Sequence, residues 1–355
     1  MFKGLCSLLL CLAGFVGLAI LVSPEAATAA AMPGLPDFGA FGVAGMAGLI
    51  VNKANLEAVF INIKTTFNRA FDAAPSDWEK TTMKIPSGSS QNNYNWLSRF
   101  PKMREWIGDK VIKALAAFKY IVINKDWEAT IAVDRNDIED DTLGIYAIQA
   151  QEAGFSAKQL PGEIDTDLKN GAFANTCYDG QFFYDTDHPV GNGAEVPVAS
   201  VSNKFAAVLS AANLAAVEAS YGALRHAIMN FTDDEGRKLG LVPDLLEGPP
   251  ALEAVMNIIA TADKLQDNNP NPYKGTCTVK VNAGLTSATG YMLHVTSRPI
   301  KPFIYQERKA PVFVQATDPS SDAVFMRKEF KYGAEARAVG AYGLWQLSAA
   351  STGQG

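Results

Sequence analysis

Histidine is scarce in this chain of 355 residues, with three copies, and cysteine is little commoner, with four. Cys6, Cys11, Cys177 and Cys277 form no CxxC pair, which excludes a zinc-ribbon spacing and a disulfide framework and leaves them as free thiols. His188, His226 and His294 share no metal-ligand spacing. No GxGxxG follows a strand, and neither a GxxxxGKS/T loop nor a GxSxG elbow is present. A nucleophile with its base and orienting group cannot be assembled from local signatures, so neither a cofactor nor a catalytic set is expected. No repeat of 20 to 50 residues exists, which excludes solenoids and propellers. Basic residues are also short: 31 Lys and Arg against 37 Asp and Glu give a net charge of −6. Duplex-DNA binders need a basic face to release counterions. A mildly acidic protein can still enclose DNA without sticking to it.

Apolar residues make up 48% of the chain and charged residues 19%, the balance of a folded protein. The length suggests two domains. The beginning is out of keeping with the rest. Lys3 precedes an apolar run from Leu5 to Val22, and Ala27, Thr28 and Ala29 offer a small-residue cleavage site. That has the form of a secretory signal peptide or a short membrane span. Met32 to Gly48 reads as a Gly/Ala/Pro-rich linker. Residues 1–45 read as a real leader, a fused fragment or the product of a mis-called start codon, and the last of these, with the protein beginning at Met46, is the preferred expectation.

Leu56, Val59, Phe60, Ile63, Phe67 and Phe71 recur three or four residues apart, which predicts an amphipathic helix over 55–71. Tyr120 to Ile123 and the alternating Trp127, Ala129, Ile131 and Val133 predict two strands, joined as a hairpin by the polar Asn124, Lys125 and Asp126. Asn136 and Glu139 form a capping box for a long helix. Its face is marked by Ala153, Ala157, Leu160, Ile164 and Leu168, and Gly154 and the Pro161-Gly162 pair are expected to kink or interrupt it. Further on come one short aromatic strand within 175–189, a helix over 205–231, a strand at 241–246 and a helix over 252–262 that starts after Pro249 and Pro250. Strands are expected at 276–281, 291–295, 300–305, 312–314, 325–332 and 337–347. Gly333, Gly340 and Gly343 mark bulges or close approaches.

Two clusters carry possible chemistry. The acid-rich run Asp134 to Asp141 could hold a divalent cation through oxygen ligands, but it lacks the EF-hand spacing and central glycine. A helix N-terminus with ion pairs at a subunit contact explains it as well. Asp185, Asp187 and His188 superficially resemble a metal-assisted hydrolase motif, with a satisfied turn as the plainer reading. Taking the leader at face value gives a secreted hydrolase using these three, or a periplasmic binding module. Arms and extended strands without a catalytic set point instead to a protein that contacts copies of itself.

The blocks MREWIGDK (103–110), NKDWEAT (124–130), VDRNDIEDD (133–141), CYDG (177–180), YDTDHP (184–189), YGAEAR (332–337) and GLWQ (343–346) resemble, in order, the Mu-like phage major head subunit (gpT) family. The resemblance covers about residues 49–355 and leaves the leader outside. It implies an α+β protein with the tailed-phage major capsid fold (Hong Kong 97 type). The expected parts are an N-terminal arm (46–99), an extended hairpin loop (100–133), a peripheral domain with a spine helix (134–200), a mainly axial domain (201–300) and return strands to the peripheral domain (301–355). It further implies a structural virion protein, without cofactor, metal or stable membrane partner. Such a protein assembles in the host cytoplasm into hexamers and pentamers of a shell around packaged DNA, with scaffold, maturation protease and portal partners. Arg104, Glu105, Asp109, Lys110, Arg135, Asp137, Glu139 and Asp140 are the expected intersubunit polar contacts, in heterologous, ring-closing geometry.

Overall fold

Phe60, Ile63 and Phe67 lie on one stripe of helix α1 (Lys53–Ala73), and all three are buried. In the computed structural model the described residues are 53–98, 120–134, 136, 145–191, 196–316, 318 and 322–355. They fall within one compact unit, Gly45–Gly355. The leader, the acid-rich run beyond Asp134 apart from Asn136, and the block 103–110 lie outside the described residues, as does Glu139 of the capping box.

A short 3₁₀ turn (Trp78–Lys80) leads from α1 into strand β1 (Thr82–Pro86), and β2 (Gln91–Asn93) follows. The expected hairpin is absent. Strand β3 (Ile121–Ile123) pairs antiparallel with β2, whereas β4 (Lys125–Asp134) pairs with a strand two hundred residues away. The cause is Asn124, which is buried and bonds to the link between β1 and β2 and to Gln306 instead of turning between the two runs. Its amide donates to Ser87 Oγ (3.1 Å), Ser89 O (2.9 Å) and Ser90 O (3.2 Å), and its carbonyl accepts from Gln306 Nε2 (2.7 Å). Polar residues between apolar runs usually face water, but this one fills an internal site.

Helix α2 (Ile145–Gly171) is continuous through Pro161, contrary to the expected break. Packing on two sides outweighs the lost hydrogen bond. At Gly154 a Cβ would meet Phe67 O at 2.3 Å, so the glycine lets α1 and α2 touch backbone to backbone. Leu160 and Ile164 are buried with Trp78, Tyr305, Ala336 and Ala338. After α2 the expected aromatic strand is instead a turn, closed by a bridge between Thr176 and Phe182, with Phe183 and Tyr184 fully buried. Strands β5 (His188–Val190) and β6 (Ala199–Val201) form a small antiparallel pair.

The helix predicted over 205–231 begins only at Leu214. Strand β7 (Lys204–Phe205) takes its first residues by pairing with the end of the chain. Asn213 caps the helix, its side chain accepting from Ala216 N at 2.9 Å. The helical run is α3 (Leu214–Val217), a π turn (Glu218–Gly222) and α4 (Ala223–Asn230). Then follow β8 (Leu245–Gly248), α5 (Glu253–Thr261) after a 3₁₀ start at Pro250, β9 (Thr278–Val281) and β10 (Tyr291–His294). The four expected strands beyond residue 300 merge into two of 14 residues, β11 (Phe303–Ala316) and β12 (Glu329–Tyr342). Residues expected to open the third of those strands form helix α6 (Asp322–Arg327). Strand β13 (Ser348–Ser351) ends the fold.

Two main sheets result. The first has the order β1-β11-β12-β4, with β1 parallel to β11 and the remaining pairs antiparallel. Helix α2 packs on it closely enough that a Cβ at Gly340 would meet Ile164 Cγ2 at 2.7 Å. Gly333 lets β12 approach β4, where a Cβ would meet Ala129 O at 2.0 Å. At Gly343 a Cβ would meet Lys301 O at 2.6 Å. All three glycines are therefore close approaches, as expected. The second sheet has the order β7-β13-β10-β8-β9, and β8, β10 and β13 are buried along their whole length. Val217, Leu224 and Ile228 share the main core with Met256, Ile259 and Ala260. The last strand thus belongs to the second sheet, not with the return strands of the first.

Candidate assembly sites

Helix α2 and the second sheet meet in a buried cluster of charges. Asp165 and Lys169 stand one turn apart on α2, and Glu247 lies within β8. Lys169 is fully buried, and its Nζ lies 2.6 Å from Asp165 Oδ2, 2.8 Å from Glu247 Oε2 and 3.0 Å from Thr81 Oγ1. Thr82 Oγ1 donates to Asp165 Oδ1 at 2.5 Å, which ties β1 to the same group. Asn282 Nδ2 donates to Glu247 Oε1 at 2.8 Å. His294 Nε2 faces Glu247 Oε2 from 3.5 Å, a distance of electrostatic attraction rather than a full hydrogen bond. Its Nδ1 lies 2.9 Å from Ser348 Oγ, which in turn meets Tyr184 OH at 2.7 Å. One cluster therefore clamps α2, β1, β8, β10 and β13.

Burial alone would discharge these groups, yet at Lys169 and Glu247 the Coulomb partners win. Lys169 is held above its ordinary 10.5, because Asp165 and Glu247 outweigh its desolvation. Glu247 is burdened by burial but held well below its ordinary 4.5, by Lys169 first and His294 next. His294 is pushed below its ordinary 6.5 by burial, which Glu247 offsets only in part. Stability rises with pH wherever the unfolded chain binds more protons. His294 and Glu247 both bind a proton more readily when unfolded, so their contributions are complete above about 6.5 and 4.5 and fade below those values. Lys169 has the opposite sign: its contribution is complete below 10.5 and is lost as pH climbs past its raised folded value. Thermal unfolding should therefore show a plateau from about pH 6.5 to about pH 9, above which the buried Cys177 and Cys277 thiols, raised by burial, begin to cost stability, and a steep decline on the acid side. A melting temperature unchanged from about pH 7 to about pH 4 would contradict this.

The structure does not assemble the hydrolase candidates. Asp185 accepts from the backbone N–H of Phe182 (3.2 Å) and Thr186 (2.8 Å), and Asp187 is exposed. His188 is buried, and both of its ring nitrogens are engaged by other residues: Nδ1 by Asp179 Oδ2 at 2.7 Å and Nε2 by Asn203 Oδ1 at 3.2 Å. Its ring stacks on Trp345 with centroids 4.1 Å apart. Burial would raise the Asp179 carboxyl, but bonds from His188 and Cys177 hold it below its ordinary range. Asp179 and Asn203 were missed in the sequence. Asp179-Gly180 reads as turn punctuation, and nothing local marks Asn203.

Arg104, Glu105, Asp109, Lys110, Arg135, Asp137, Glu139 and Asp140 all lie outside the described residues. Their neighbours are described. Strand β4 stands at the edge of its sheet, with Lys125, Asp126, Glu128 and Thr130 exposed. Asp126 pairs with Arg337 at 3.1 Å. Beside it the β2–β3 stem exposes Ile121 and Ile123, and Trp96 is 38% exposed. Ile61 on α1 and Ile148 and Phe155 on α2 are exposed as well. Runs of exposed apolar side chains on an extended framework are characteristic of contact surfaces.

Comparison with known proteins identifies the framework. The family described as Mu-like prophage major head subunit gpT matches residues 56–212, 205–285 and 280–354. The chain is 28% identical over 299 residues to the Mu-like prophage FluMu major head subunit of Haemophilus influenzae, covering 84% of this chain and 73% of that protein. It is 29% identical over 305 residues to the major capsid protein of Escherichia phage Mu, covering 86% and 76%. Among solved structures it resembles a chain of the procapsid of bacteriophage JBD30, at 32% identity and a TM-score of 0.55, over 85% of this chain and 76% of that one. A spine helix lying on one sheet and clamped to a second, within that likeness, defines the tailed-phage major capsid fold of Hong Kong 97 type, mixed α+β. The chain belongs to the Mu-like prophage major head subunit gpT family. It is a major capsid protein that forms the shell of the virion, a structural protein and not an enzyme. The hydrolase reading of Asp185, Asp187 and His188 is thereby set aside, in keeping with their separate bonding.

Proposed function

We propose that copies of this chain assemble into hexamers and pentamers of an icosahedral shell through an N-terminal arm, an extended loop and the acidic start of the spine. The observation that carries this reading is the β2–β3 stem. Gln91 pairs with Ile123 and Asn93 with Ile121, and Tyr94 and Leu97 just beyond are still buried in the core, so the two strands form the stem of the loop that follows. The segment 100–119 beyond that stem serves as the extended loop. It ends earlier than the expected 133, because β4 is already a strand of the first sheet. That sheet with α2 serves as the peripheral domain, and the second sheet with α3 to α5 serves as the axial domain. The arm is the segment 46–99. Arg104, Glu105, Asp109 and Lys110 sit on the loop, and Arg135, Asp137, Glu139 and Asp140 at the approach to the spine, where neighbouring copies meet their charges. Scaffold, maturation protease and portal are the further partners, and assembly takes place in the host cytoplasm. The mildly acidic chain encloses DNA without gripping it.

The test is electron microscopy and size-exclusion chromatography after expression in a bacterial cytoplasm, alone and with the phage's scaffold protein. Rings, tubes or shells of megadalton size are expected. A chain that stays monomeric with its scaffold overturns the reading. Arg135→Glu and Asp140→Lys should each raise the concentration needed for assembly about tenfold or more, because they place like charges together across the contact. Unchanged assembly in both would remove those residues from the interface.

A further inference from the structure

We propose that Cys177, Asp179 and His188 form a structural zinc site. The Cys177 sulfur, an Asp179 carboxylate oxygen and a His188 ring nitrogen lie within 4.8 Å of one another. Cys177 and His188 are buried, while Asp179 is only partly so, which makes Asp179 the side from which an ion, and a water as fourth ligand, would enter. Thiolate, imidazole and carboxylate together suit Zn²⁺ rather than Mg²⁺ or Ca²⁺, which take oxygen ligands. Tetrahedral zinc sets its ligand atoms roughly 3.5 Å apart, so the present cluster needs shifts of about 1 Å or less.

The hydrogen bonds of Asn203 point to a cation at the same place. Asn203 Nδ2 faces the carbonyls of Phe183 (2.8 Å) and Ser348 (3.3 Å), and Oδ1 accepts from the Asp185 N–H at 2.9 Å. That network fixes which end of the amide is oxygen. His188 Nε2, 3.2 Å from the same Oδ1, must therefore carry a proton. In a neutral ring Nδ1 then presents its lone pair to Asp179 Oδ2 from 2.7 Å. Two lone pairs at that distance repel unless a positive species lies between them, either a second proton or a metal ion. Cys177 Sγ, 2.9 Å from the other oxygen of the same carboxylate, adds a third donor. The Asn203 contact is the outer-shell bond that metal-binding histidines make with their second nitrogen. On binding, Zn²⁺ takes the place of the Cys177 thiol proton, which passes to solvent; no oxidation is involved. The ion ties the turn after α2 to β5, whose His188 stacks on Trp345.

The test uses the full chain, purified without chelator and measured for metal by mass spectrometry. About one zinc per chain is expected, falling to a small fraction in Cys177→Ser and in Asp179→Asn and unchanged in the control Cys277→Ser. In chelator-stripped protein, added Zn²⁺ should slow alkylation of Cys177 by an order of magnitude or more, read residue by residue, with Cys277 as the internal reference. That second readout needs no variant to fold. A metal-free purified chain whose Cys177 alkylation ignores added zinc overturns the proposal and leaves His188 and Asp179 as a hydrogen-bonded pair without metal.

Discussion

Lys169→Met is expected to destabilise the unassembled subunit by about 3–5 kcal/mol, measured by urea unfolding. The lysine is fully buried between Asp165 and Glu247, and neither carboxylate has water to turn to once it is gone. A methionine fills a similar volume, so the loss reports the two orphaned charges rather than a cavity. Asn282 would still donate to Glu247 and Thr82 to Asp165, which keeps the cost finite. Adding Glu247→Gln to Lys169→Met should recover part of the loss, because it removes one orphaned charge while keeping the acceptor for Asn282. The two changes are in contact, so they will not add. The consequence for assembly is larger than the subunit's own loss. This cluster alone among the described charges joins α2, β1 and β8, and a shell lattice needs those parts held at one fixed geometry. A single variant within about 1 kcal/mol of the native chain would show that the clamp is not structural.

Those charges were invisible in the sequence, for a physical reason. Lys169 sits one helical turn after Asp165, the spacing of an ordinary exposed ion pair, and only the arrival of Glu247 from a distant strand puts them out of water. What the sequence does carry is periodicity and space. The stripe of Phe60, Ile63 and Phe67 and the face of Leu160 and Ile164 were legible because helical faces repeat locally. Gly333, Gly340 and Gly343 were legible because a strand tolerates glycine where backbone must pass close by. Pairing partners were not. The Asn124 hairpin failed because a buried asparagine and a turn asparagine look alike, and the helix over 205–231 began too early because β7 answers to β13 at the far end of the chain. Asp179, His188 and Asn203 were likewise separate marks until folding brought them together. The family blocks named the protein's class while leaving its buried chemistry unread.

Trp345→Ala should cost about 3–5 kcal/mol, whereas Trp96→Ala should cost under about 1 kcal/mol in the isolated subunit. Trp345 is 1% exposed, stacked on His188 with an interplanar angle of 11° and set edge-on to Phe231 at 5.2 Å. Truncation leaves a cavity that cannot collapse, because its walls are pinned. Asn203 holds Phe183 O on one side, and β13 begins three residues after Trp345 on the other. Trp96 instead leans on Tyr94 at 6.5 Å with much of its ring in water. Its loss should be read in assembly, not in folding, since it stands at the root of the loop proposed to reach a neighbour. Urea unfolding of both variants beside particle yield separates the two roles. Equal destabilisation by the two substitutions would refute the division between a core tryptophan and a contact tryptophan.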